Sequence, residues 1–68
     1  MKELTERQEA IYNYVKDFIE KNNYSPSFRE IAERFSMTAK GVSDHLKLIK
    51  KKGYIDYSSK LARTIVIK

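Results

Sequence analysis

The 68-residue chain has no cysteine, no tryptophan, one proline, two glycines and one histidine. Without cysteine, neither a disulfide nor a thiolate metal site can reinforce the fold, and the lone His45 cannot build a zinc site. Two glycines leave no glycine-rich phosphate loop, and no nucleophile is paired with a base. No catalysis, cofactor, metal or small-molecule substrate is therefore expected. No apolar run approaches the length of a membrane span. The opening residues, Met1 to Arg7, lack the hydrophobic region of a signal peptide. A soluble, cytoplasmic, single domain is expected. At this length the core is thin, supplying about 3–5 kcal/mol, so helix packing, caps and the bulk of five Tyr and three Phe must hold the fold.

What the chain does have is positive charge, unevenly placed. Residues 1–35 hold six Lys/Arg against seven Asp/Glu, a net charge of −1, whereas residues 36–68 hold eight against two, a net charge of +6. A basic half on a small domain suggests a polyanionic partner. A membrane surface fits less well than nucleic acid, because the basic helix keeps its apolar residues for a core.

Three helices are predicted. Thr5 and Gln8 form a capping box opening the first, which runs to about Lys21 with Ile11, Tyr14, Val15, Phe18 and Ile19 as its apolar stripe and Leu4 as a candidate staple. Ser27 and Glu30 form a second capping box ahead of a helix over Phe28–Phe35, with Pro26 blocking continuation from upstream. Residues 36–38 make a tight turn. Thr38 caps a third helix reaching Lys52, closed by Gly53 in the left-handed conformation. Ile31, Ala32 and Phe35 face Val42, Leu46 and Ile49, which describes a helix-turn-helix. Beyond Gly53, residues 54–57 and 64–67 favour strands around a turn at residues 58–60. This antiparallel hairpin needs the helices for support, through Ile55, Ile65 and Ile67. The fold class is mainly α with a small β-hairpin, a three-helix winged helix-turn-helix.

At about 100° per residue, Lys40, Ser43, Asp44, Lys47 and Lys51 point away from the core stripe of the third helix. Donors, acceptors and positive charge on one face suit a major groove; the plain alternative is a solvated face. Asp44 either accepts from a cytosine amine or pairs with Lys40 or Lys47. Gly41, which costs the helix about 1 kcal/mol, either permits close approach of backbone to DNA or is simply a weak first-turn position. Ser27 and Arg29 lie at a helix N-terminus, which draws phosphate, although capping alone accounts for Ser27. Lys60 and Arg63 fall at the predicted wing tip, within reach of the flanking backbone or minor groove. One of Lys50, Lys51 and Lys52 can meet phosphate as well. His45 is expected to be packed and hydrogen-bonded.

Taken in order, Leu4-Thr5-Glu6-Arg7-Gln8, Ser25-Pro26-Ser27, Arg29-Glu30-Ile31-Ala32, His45-Leu46 and Lys52-Gly53-Tyr54-Ile55 resemble the N-terminal DNA-binding domain of the bacterial LexA repressors, with Arg63 where that family often has arginine. The resemblance implies a repressor of DNA-damage (SOS) genes in the bacterial nucleoid. Its partner would be double-stranded DNA carrying a palindromic operator, occupied by two copies of the domain. The family's base readers fall on Thr38, Lys40, Gly41, Ser43 and Asp44. Lys40 stands where many members have Asn, and Ser43 where they have Glu, so the operator is expected to differ. Ser36 replaces a common Gly. The self-cleaving serine–lysine half of the family has no counterpart here, nor does an Ala-Gly scissile pair. The expectation is an excised domain or a stand-alone regulator without autoprotease activity. The competing class is a winged helix that binds another protein.

Overall fold

The computed structural model describes residues 3–58 and 60–68. Met1, Lys2 and Ser59, the last within the predicted turn, lie outside the described residues. Three helices, α1 (Glu6–Asn22), α2 (Phe28–Phe35) and α3 (Ala39–Lys51), precede two short strands, β1 (Ile55–Asp56) and β2 (Val66–Ile67).

Local chemistry sets each helix boundary. The Thr5 hydroxyl accepts from the Gln8 N–H at 3.2 Å and the Gln8 amide oxygen accepts from the Thr5 N–H at 3.1 Å, satisfying two donors that the helix itself cannot. Ser27 and Glu30 repeat the box on α2 at 3.1 and 2.9 Å. α1 ends one residue beyond the expected Lys21, because Asn23 takes the left-handed conformation and returns its N–H to the Ile19 carbonyl. α3 ends one residue before Lys52. Gly53, at φ 93°, donates to Lys50, while Tyr54 donates to Ile49. This is a Schellman closure, which glycine reaches without strain.

The core gathers Ile11 and Val15 from α1, Ile31 and Ala32 from α2, Val42, Leu46 and Ile49 from α3, and Ile55, Tyr57 and Ile65 from the hairpin. Tyr14, Ile19 and Phe35 are half-buried against it, as is Leu4 ahead of α1. Phe18 instead meets Tyr24 edge-on and lies tilted against Tyr14.

The hairpin is antiparallel in the expected sense, with Ile55 opposite Ile67 and Asp56 opposite Val66. Each strand spans two residues rather than the four expected. Side chains take over the backbone groups past that point. The Tyr57 N–H donates to the Asp56 carboxylate at 2.8 Å and the Ser58 N–H to the Thr64 hydroxyl at 2.9 Å. Those bonds replace ladder pairing and open a wide loop, the wing. Ile55 and Ile65 are buried and Ile67 packs on the core, the support that the hairpin required.

Candidate nucleic-acid interface

The turn into α3 is tied back to α2. Ser36 adopts φ 53°, the Met37 N–H donates to the Ala32 carbonyl at 2.8 Å, and the Met37 side chain packs on the core. A serine there carries the strain of a left-handed conformation that glycine would avoid. Thr38 caps α3, its hydroxyl accepting from the Gly41 N–H at 3.0 Å. A Cβ on Gly41 would meet that hydroxyl at 3.3 Å and Met37 Cε at 3.4 Å, so the cap crowds this position from within the fold.

With Val42, Leu46 and Ile49 wholly buried, the orientation of α3 is fixed. Lys40, Asp44, Lys47 and Lys51 are exposed on its opposite face, and Ser43 is half-buried at the flank. Among the described residues Asp44 pairs with neither Lys40 nor Lys47, so its carboxylate stands unneutralised between them. Leu48 is 47% exposed beside this face, an apolar surface that helical spacing did not single out.

The remaining cations divide by partner. Lys50 lies 3.3 Å from the Asp56 carboxylate, donates to the Tyr57 carbonyl and sits over the Tyr57 ring. Lys52 donates to the Glu3 carbonyl at 2.9 Å and to Gln8 Oε1 at 2.7 Å, joining the end of α3 to the start of α1. Of the three consecutive lysines, only Lys51 projects without a partner among the described residues.

At the N-terminus of α2, the Ser27 hydroxyl is engaged by the capping box, and Arg29 is exposed. The Glu30 carboxyl sits below its usual range, first because the Ser27 N–H donates to it and then through Arg63. On the wing, Lys60 is exposed, and Leu61 is 66% exposed beside it. Arg63, expected at a free tip, instead lies 2.9 Å from Glu30 Oε1 and donates to the Ser25 carbonyl at 3.2 Å. Its guanidinium is 5.0 Å from the Tyr24 ring. Ser25, read only as loop, is buried, and its hydroxyl accepts from the Ile65 N–H at 3.1 Å. No local signal marks that role, because its partners lie 38 and 40 positions away.

His45 corrects an expectation. It is half-buried, but its Nδ1 has no hydrogen-bond partner among the described residues. Among the described residues no three His, Cys, Asp or Glu side chains converge as metal ligands, and no helix is long and apolar enough to cross a membrane.

A family model for the LexA DNA binding domain matches residues 1–64. The chain is 48% identical over 65 residues to the LexA repressor of Leptospira biflexa serovar Patoc, an alignment covering 96% of this chain and 32% of that protein. It is 48% identical over 67 residues to the LexA repressor of Thermotoga maritima, covering 98% and 34%. With the LexA repressor of Thermotoga petrophila it shares 54% identity over 56 residues, covering 82% and 28%. The chain spans about a third of the length of these curated relatives.

Proposed function

The chain belongs to the family of LexA DNA-binding domains, and from that premise we propose that it is the operator-reading part of a LexA-like transcriptional repressor. The reading is that α3 enters the major groove of duplex DNA, with Thr38, Lys40, Gly41, Ser43 and Asp44 toward base edges. Lys47 and Lys51 neutralise phosphates along the same groove, and Lys60 meets the flanking backbone from the wing. Ser27 and Arg29 flank the positive end of α2, where a phosphate is favoured. Two domains occupy a palindrome, and the controlled genes are those of the DNA-damage response.

One observation carries the proposal. Lys40, Asp44, Lys47 and Lys51 are solvent-exposed on the outward face of α3, and the side chains of Lys40, Lys47 and Lys51 have no ion-pair or hydrogen-bond partner among the described residues. A face packed beneath the rest of the chain could enter no groove. Lys40 and Ser43 give this face its own chemistry: a lysine suits guanine O6 and N7, and a serine donates or accepts. The operator should therefore carry guanine where Lys40 reaches.

The test is selection of binding sites from random duplexes, followed by titration at several salt concentrations. The expected result is a motif with two-fold related halves, and an affinity whose logarithm falls linearly with log salt by about 0.9 per phosphate contacted. Failure to enrich any motif, together with salt-insensitive binding, would overturn the reading.

A further inference from the structure

We propose that Arg63 is a positioning residue: it docks the wing onto the α1–α2 loop and the start of α2, so that Lys60 rather than Arg63 meets the DNA backbone. The inference rests on the duplex-binding reading above and deepens it.

The wing needs an anchor. Strands of two residues each leave residues 58 and 60–64, among those described, with neither ladder support nor a buried side chain, and so short a hairpin does not hold its own shape in water. Arg63 supplies that anchor from a single side chain. Its guanidinium meets the Glu30 carboxylate at 2.9 Å, the Ser25 carbonyl at 3.2 Å and the Tyr24 ring at 5.0 Å. Two residues later the Ile65 N–H closes on the buried Ser25 hydroxyl. The contacts converge on one loop from two points of the wing, which fixes its angle as well as its attachment. The backbone is committed too, since Arg63 itself sits at φ 57°, a left-handed conformation that costs a residue with a side chain. Both polar bonds use Nη1 of a side chain that is 41% exposed, so a phosphate at the outer edge of the guanidinium would meet a charge that the Glu30 carboxylate already offsets. Lys60 has no such offset, because it is exposed and its ammonium has no partner among the described residues.

The two roles predict different salt dependence. Wild type, Lys60→Ala, Arg63→Ala and the double variant are titrated with the selected duplex between about 50 and 200 mM salt. Lys60→Ala should flatten the log–log slope by about 0.9, which shrinks the loss of affinity over that range about three- to fourfold. Arg63→Ala should flatten it by the same amount although Lys60 is still present, and the double variant should show no more than either single one. Two independent phosphate contacts would instead give additive flattening, and that outcome overturns the proposal, as does an unchanged slope for either single variant. Failure of the duplex-binding reading looks different: the wild type itself would lack a steep slope. If Arg63→Ala does not fold, Tyr24→Ala carries the test. Tyr24 is 51% exposed and removing its ring leaves every charge in place. Tyr24→Ala should flatten the slope part of the way in the wild type and leave the slope of Lys60→Ala unaltered; flattening in both backgrounds, or in neither, overturns the proposal.

Discussion

The outward face of α3 and the places where the helices and the wing join each carry three cations, yet those charges behave differently. Lys40, Lys47 and Lys51 project into solvent, whereas Lys50, Lys52 and Arg63 each hold an oxygen of the same chain. A surplus of positive charge thus locates a surface without locating its contacts. A cation facing a carboxylate or carbonyl already has an occupation, and its removal is felt by the fold. A cation without a partner is available to a ligand, and its removal is felt by binding.

The bluntest way to break the comparison is Leu46→Ala, which keeps every cation and removes a wholly buried side chain. It should cost about 2–5 kcal/mol, comparable to the full stability of a domain this small, so both regions fail together. Thermal melting by circular dichroism measures it. Lys40→Ala tests the projecting set. It should weaken binding to the preferred duplex by about 1–3 kcal/mol and relax base preference, while the melting transition stays within about 0.5 kcal/mol; titrations on matched and mismatched duplexes decide. Lys52→Ala tests the engaged set and should do the reverse. Losing its bonds to Glu3 and Gln8 costs about 1 kcal/mol of stability and leaves the salt slope of binding unaltered. Acid should separate the sets more gently. Glu30 and Asp56 are both held below their usual range, Glu30 first by the Ser27 N–H and Asp56 first by Lys50. A carboxyl lowered in the folded state stabilises above its unfolded value and loses that contribution as pH falls through its folded value. The melting temperature should therefore be flat near neutrality and decline below about pH 4, less steeply in Glu30→Gln. A curve identical in the two proteins would remove Glu30 from this account.

Much of the architecture was legible in the sequence because it is written locally. Both capping boxes, the glycine closure of α3 and the stripes of α2 and α3 are built from steps of five positions or fewer, where spacing determines geometry. The strands were overestimated for the opposite reason. β-branched residues favour extension, but the Asp56 and Thr64 side chains outcompeted the ladder for backbone groups. The exposed face of α3 followed from period alone. The engagement of Arg63, Lys50 and Lys52 did not, since each partner is fixed only by tertiary folding. For His45 the sequence suggested packing and a hydrogen bond; the residue is half-buried, and its Nδ1 meets no partner among the described residues.

The bond from the Ile65 amide to the buried Ser25 hydroxyl gives this molecule a built-in gauge. In deuterated solvent that proton can exchange only when the wing lifts away from the loop beneath it. A single resonance in a nitrogen-correlated spectrum then reports the free energy of wing detachment, with no ligand and no second protein in the tube.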